Sequence, residues 1–111
     1  SWFAQQPEAV ANLFDLLAGG APPAIEADEV WREGAAEGVL VGGCLSIVAA
    51  MVGTPWQVDT RGALLFLEDV NERPYRVDRM LTQLRQAGSL DEVAGLVLGE
   101  MPGTFDVDGH L

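Results

Sequence analysis

Cysteine, histidine and lysine, which support many common protein chemistries, are scarce in this sequence. Cys44 is the only cysteine, which excludes an internal disulfide and a cysteine-rich metal site. Lysine is absent, and six arginines are set against 17 acids, so the formal net charge is −11. Because nucleic acids and anionic membrane surfaces bind proteins through cations, this balance argues against both as partners.

Long hydrophobic runs are also missing. No apolar segment approaches the roughly 20 residues that span a bilayer, and the first residues lack the basic region and apolar core of a signal peptide. A single cysteine is compatible with a reducing compartment. We therefore expect a cytoplasmic location and no membrane partner.

A nucleophile paired with a base is not evident. No G-x-S-x-G elbow surrounds any of the serines, which are Ser1, Ser46 and Ser89. Cys44 is interpreted as a small buried thiol. His110 is one residue from the end, and nothing in the sequence brings it to Cys44. The chain therefore lacks a convincing nucleophile–base pair.

The segment Asp106–His110 is the one candidate metal site. It resembles the start of a calcium-binding loop, but the third acid and the distal glutamate are missing. A flexible acidic tail is the better interpretation. The sequence predicts no metal and no cofactor.

Apolar content is ample, at 49% of 111 residues, which fits a single domain over residues 1–111. The central feature is Ala63–Asp69, where five apolar residues lead into two carboxylates. Such a run, bounded by turn residues, predicts a strand buried on both faces of a parallel α/β sheet. Ligands of such sheets bind beyond the carboxyl ends of the strands. Glu68 and Asp69 are therefore candidate site residues, with two solvated acids at a loop start as an equal alternative.

The remaining pattern predicts helices alternating with strands. Helices are expected over Glu8–Ala18 and Leu45–Val52, from Pro74 to before Gly88, and briefly from Ser89. Further strands are expected at Glu29–Arg32, Gly38–Gly42 and Gly95–Gly99. The strand–helix–strand order from Ala63 to Gly99 is a βαβ unit, which implies parallel pairing and a right-handed crossover.

Two local features have alternative interpretations. Gly42–Gly43 could present backbone N–H groups to an anion at the start of a helix, but a tight turn or a close backbone approach is favoured. Glu68 and Asp69 are neighbours on a strand end, so their side chains point to opposite sides and do not share a proton. For Asp69 we expect an ion pair with Arg76 or Arg79 of the following helix.

Several ordered stretches together resemble the C-terminal domain of the LD-carboxypeptidase family, the S66 serine peptidases. This family includes murein tetrapeptide carboxypeptidases and microcin C7 immunity proteins. The stretches are Glu37–Ser46, Gly53–Trp56, Leu65–Asp69, Glu72–Leu81, Gln83–Leu84 and Ala87–Gly88. The resemblance covers about Glu37 to Glu100, and its most specific parts are F-L-E-D and P-Y-R-V-D-R-M-L.

The resemblance implies a swivelling β/β/α fold with a parallel central sheet, a second smaller sheet and flanking helices. The strands between Glu29 and Gly42 are candidates for the second sheet. Glu68 matches the glutamate of the family's Ser-His-Glu triad. The nucleophile domain has no counterpart in these 111 residues, and His110 lacks the P-x-G-H context of the family's histidine, so no catalytic role is assigned to it. The chain is therefore expected to be most of a C-terminal domain.

By resemblance, the parent enzyme releases a C-terminal D-amino acid from a cytoplasmic murein peptide through an acyl-enzyme. The murein peptide would bind together with the missing N-terminal domain, and family members are often homodimers. Relatives that hydrolyse a peptidyl-adenylate differ in substrate only. The alternative function is a non-catalytic α/β domain that binds a peptide or self-associates. We expect the 111 residues alone to show no hydrolysis.

Overall fold

A computed structural model describes residues 5–104. These residues form two compact units, residues 5–33 and 34–104. The first unit contains one helix, α1 (Pro7–Leu17), which begins with proline in its first turn and agrees with the prediction. The strand predicted at Glu29–Arg32 is wrong. Val30 and Trp31 are 62% and 74% exposed, so this segment buries no apolar face, and in residues 5–33 it has no strand to pair with.

The second unit is a parallel sheet with two helices. Its elements are β1 (Leu40–Cys44), α2 (Leu45–Ala50), β2 (Leu64–Glu68), α3 (Pro74–Gln86) and β3 (Gly95–Leu98). The strands lie in the order β1-β2-β3, and both pairs are parallel. The α/β class, the central position of β2 and the parallel pairing of the βαβ unit are confirmed.

The stretch assigned to a second sheet contributes to the main sheet instead. Within Glu29–Gly42, only the residues from Leu40 onward are in a strand, and that strand pairs with β2. Residues 5–104 contain this one sheet. The hydrophobic pattern identified a strand near Gly38–Gly42, but pattern alone does not specify which strand it pairs with.

The helices cover one face of the sheet. Leu65 and Leu67 of β2 are 0% exposed and belong to one apolar cluster with residues of both helices. The buried helical members are Leu45, Val48, Ala49, Met80 and Leu84. The other face carries Leu40 and Val97, which are 68% and 46% exposed. Parallel sheets are ordinarily covered on both faces.

The strand was predicted to end at Gly42. Gly42 and Gly43 instead lie inside β1. Gly42 has a φ of +116°, and a Cβ added there would collide with the carbonyl oxygen of Phe66 on β2. The favoured reading of this pair included a close backbone approach, and that part is confirmed at Gly42.

The short helix predicted from Ser89 is also wrong, because Ser89 completes the end of α3. Gly88 has a φ of +83°, its N–H bonds to the carbonyl of Arg85, and the N–H of Ser89 bonds to the carbonyl of Leu84. This is the Schellman pattern of helix termination. The Ser89 carbonyl accepts a hydrogen bond of 2.6 Å from the hydroxyl of Thr60. These bonds hold Ser89 in a turn that leads to β3.

In the part of the chain that the structure describes, no helix is long and apolar enough to cross a bilayer.

Candidate active site

The carboxyl ends of the three parallel strands form one edge of the sheet, where the predicted site residues lie. Cys44 ends β1 and is in register with Glu68, which ends β2. Leu98 ends β3 and is in register with Leu67. Beyond it, the N–H of Gly99 donates a 2.8 Å hydrogen bond to the carbonyl of Leu67. Ligands of parallel sheets bind at this kind of edge.

Glu68 is half-buried at the end of β2. Strand alternation puts its side chain on the face of Phe66 and away from the core residues Leu65 and Leu67. Within residues 5–104 the ion pairs join Arg61 to Asp59 and Arg76 to Glu72, so the Glu68 carboxylate is not held by a guanidinium there. An acid tied to a neighbouring arginine would have argued against a catalytic role.

Asp69 is placed differently from its prediction. It is 6% exposed and, among the described residues, it has no ion pair with Arg76 or Arg79. Its Oδ2 accepts a 2.9 Å hydrogen bond from the backbone N–H of Ser46, and its Oδ1 accepts a 2.8 Å bond from that of Val70. The carboxylate thereby connects the end of β2 to the first turn of α2, where a buried anion is stabilised by free amide donors.

The surroundings of Asp69 act on its pKa in opposite directions. Burial raises the pKa, while the backbone hydrogen bonds from Val70 and Ser46, with weaker contributions from the Ser46 hydroxyl and the Cys44 thiol, lower it. The hydrogen bonds outweigh burial, and the pKa of Asp69 lies below its ordinary value. Asp69 therefore stays ionised at neutral pH.

Cys44 lies beside the same carboxylate. Its Sγ is 3.6 Å from Asp69 Oδ2 and 3.2 Å from the Ser46 hydroxyl. The thiol is half-buried, whereas the sequence predicted a buried one. At the start of α2, just after Gly42–Gly43, the backbone N–H of Ser46 donates to the protein's own Asp69 carboxylate.

Sequence reasoning missed Gly99 as part of this edge. A Cβ added to Gly99 would lie 2.7 Å from Cζ of Phe66 and 3.2 Å from Cβ of Glu68. Real Cβ atoms essentially never make contacts as short as the first of these. One signal in the sequence could have identified it: Gly99 directly follows the strand predicted to pair with the strand that ends at Glu68.

A cavity of about 370 Å³ lies at the opposite edge of the sheet, among the loops that precede β2 and β3. Its lining includes Asp59, Arg61, Gly88 and Glu92. Hydrogen bonds from Arg61 lower the pKa of Asp59 to about 2. This edge holds the amino ends of the strands, so the cavity is separate from Glu68.

The structure leaves the predictions for His110 and for the segment Asp106–His110 untested. Residues 5–104 contain no group of three or more His, Cys, Asp or Glu side chains that could hold a metal ion. His110 and the segment Asp106–His110 lie outside the described residues. The structure thus brings Glu68, Asp69 and Cys44 to one edge.

The family model described as the LD-carboxypeptidase C-terminal domain matches residues 37–110. The chain belongs to the LD-carboxypeptidase family. The matched residues include the whole edge described above, from Cys44 through Glu68 to Gly99. The family membership expected from the F-L-E-D and P-Y-R-V-D-R-M-L motifs is confirmed.

Named relatives of the family agree with this assignment. The chain is 54% identical over 65 residues to a probable murein peptide carboxypeptidase of Bacillus subtilis, covering 59% of the chain and 20% of that protein. It is 39% identical over 64 residues to a murein tetrapeptide carboxypeptidase of Pseudomonas aeruginosa, covering 57% of the chain and 21% of that protein. The chain thus spans about a fifth of the length of these relatives.

Solved structures of the family have the same fold. A muramoyltetrapeptide carboxypeptidase from Oxalobacter formigenes superposes with a TM-score of 0.55 at 52% identity, covering 58% of this chain and 22% of that one. MccF in complex with glutamyl sulfamoyl guanosine superposes with a TM-score of 0.58 at 28% identity, covering 62% and 21%. The mixed α/β fold of the chain is therefore that of LD-carboxypeptidases.

Proposed function

We propose that this chain supplies the acid of a Ser-His-Glu triad in a serine-type LD-carboxypeptidase, and that Glu68 is that acid. The observation that carries the proposal is the position of its carboxylate. Glu68 ends the central strand at the carboxyl edge of the sheet, and no guanidinium of the described residues holds its carboxylate. Its neighbour Asp69 is engaged by two backbone amides and serves the fold.

The role of Glu68 follows from the chemistry of a triad. Its carboxylate would accept a hydrogen bond from one ring N–H of the histidine, which fixes the tautomer whose other nitrogen faces the serine. That nitrogen removes the serine proton as the oxygen attacks the peptide carbonyl. The histidine then donates the proton to the leaving amine, and water later hydrolyses the acyl-enzyme. The glutamate remains ionised throughout and stabilises the imidazolium.

The proposed substrate is a cytoplasmic murein peptide with a C-terminal D-amino acid. The names of the relatives from Bacillus subtilis and Pseudomonas aeruginosa support this class of substrate. The complex of MccF with glutamyl sulfamoyl guanosine supports aminoacyl nucleotides as the competing class. The serine and the histidine of the triad are proposed to come from parts of the enzyme outside this 111-residue chain.

We expect that the 111-residue chain alone releases no D-alanine from a murein tetrapeptide, because residues 5–104 contain no histidine and His110 lacks the P-x-G-H context of the family's histidine. The measurement is chromatography of the reaction products after prolonged incubation at high protein concentration. Turnover by the purified chain, lost on treatment with a serine-directed acylating reagent, would place a nucleophile within it and contradict the proposal.

A chimera tests the role of Glu68 directly. In it, the segment of the Bacillus subtilis relative that matches this chain is replaced by the corresponding residues of this chain, which is feasible at 54% identity. Release of D-alanine by the chimera and its loss on replacement of Glu68 support the proposal.

The second candidate function is the non-catalytic domain that binds a peptide or self-associates. The exposed apolar residues on the Glu68 face of the sheet, Leu40 and Val97, favour it. An inactive chimera, together with a concentration-dependent dimer of the 111-residue chain in sedimentation experiments, would favour this function. The homodimer expected from the resemblance stays a prediction.

A further inference from the structure

Gly99 lies next to Glu68 at the carboxyl edge of the sheet. It directly follows β3 and extends the pairing with β2 by one residue through its hydrogen bond to the carbonyl of Leu67. Its missing Cβ would point to the face that carries Phe66 and Glu68, since the ring of Phe66 and the Cβ of Glu68 are what that atom would meet. The glycine thus borders Glu68 on the β3 side, while Cys44 borders it in register on the β1 side.

Glu68 shares its face of the sheet with Phe66 and Gly99, which are its packing neighbours there. The ion pairs of residues 5–104 do not include its carboxylate. The Phe66 ring occupies the space beside Gly99. Its Cζ and Cε2 would be 2.7 and 3.1 Å from a Cβ added to Gly99. Backbone conformation does not demand glycine here, because Gly99 is not among the glycines with positive φ. The requirement is for space next to the ring and the acid.

We propose that Gly99 is a positioning residue for Glu68: its missing side chain lets the Phe66 ring pack over the end of β3 and fixes the direction of the carboxylate. This inference rests on the proposed triad role of Glu68. A methyl group added at Gly99 must displace the Phe66 ring or the Glu68 Cβ. Even a displacement of about 0.5–1 Å is enough to impair catalysis when it moves a catalytic group.

The test measures kcat and KM of the chimera. We expect Gly99→Ala to lower kcat by about 10- to 100-fold with KM changed by less than about twofold, because misplacement of a group acting in the transition state lowers kcat. In a Glu68→Gln background, Gly99→Ala should have little further effect, since two residues acting through one group are not additive.

Gly95→Ala is the matched control. Gly95 begins the same strand and also lacks positive φ, and its added Cβ would lie 3.1 Å from Cδ2 of Leu64. It is four residues from Gly99, roughly 13 Å along the strand. A purely structural effect would make the two alanine variants similar in kcat.

The outcomes separate the two proposals. If Glu68→Gln leaves kcat unchanged, the triad assignment fails. If Glu68→Gln lowers kcat as expected but Gly99→Ala matches Gly95→Ala, or lowers kcat by the same factor in both backgrounds, only the inference about Gly99 is overturned. A crystal structure of the Gly99→Ala 111-residue chain provides a measurement independent of activity. A displaced Glu68 side chain supports the inference, and an unmoved Glu68 side chain overturns it.

Discussion

Replacing Glu68 with glutamine in the chimera should reduce D-alanine release by about 10⁴-fold, the loss seen when the acid of a serine triad loses its charge. Glutamine preserves the size of the side chain but presents either a neutral oxygen or an amide N–H to the histidine. The wrong tautomer is then favoured, and the imidazolium loses its partner. The effect should fall on kcat, because the charge acts only when the imidazolium forms.

Two comparisons make the Glu68 result specific. Glu100→Gln removes an exposed acid next to Gly99 at the end of β3 and should leave kcat unchanged. Thermal unfolding of the Glu68→Gln chimera should match that of the parent, because no ion pair with another described residue is lost. If Glu100→Gln loses as much activity as Glu68→Gln, or if the folded Glu68→Gln chimera keeps its full kcat, the acid of the triad is not Glu68.

Replacing Asp69 with alanine should lower the free energy of unfolding by roughly 3 kcal/mol, because two hydrogen bonds to a buried carboxylate are lost and their amide donors remain without a partner. The affected donors are the N–H groups of Ser46 and Val70. Asp69→Asn should be destabilised less, since its amide oxygen can still accept one of the two bonds. Urea unfolding of the 111-residue chain measures both values.

The acid dependence of stability provides a second test of Asp69. Its folded-state pKa is depressed, so its contribution is fully present above the unfolded value of about 3.9 and is lost as the pH falls through the lower folded value. The stability difference between the parent chain and Asp69→Ala should therefore be constant near neutral pH and shrink below about pH 4.

Asp78→Ala is the control for both measurements, because it removes an exposed acid from α3. Its unfolding midpoint should stay close to that of the parent, as is usual for surface substitutions. An Asp69→Ala variant as stable as Asp78→Ala would show that the link between β2 and α2 is dispensable. A stability difference that persists unchanged to low pH would contradict the depressed pKa.

How much of the fold was readable in the sequence depended on the strength of each local signal. The unbroken apolar run of β2 indicates only a buried strand, and the apolar stripe of α3 indicates only a helix. The bounds of both elements were predicted within two residues. Glu29–Arg32 alternates over only four residues, and Ser89–Glu92 is a short capping pattern. Where the local signal is this weak, contacts with other residues decide the conformation. Ser89 is hydrogen-bonded to Leu84 and Thr60 and forms a turn instead of a helix.

The sequence by itself determined the family, the parallel βαβ unit and the placement of Glu68 at a strand end, because apolar periodicity and the ordered motifs are local properties of the chain. Only the tertiary structure decided that Asp69 bonds to Ser46 rather than to an arginine, that β1 joins the main sheet, and that Gly99 borders Glu68. These are contacts between residues 23 or more positions apart, and no local pattern specifies which distant backbone approaches a given side chain.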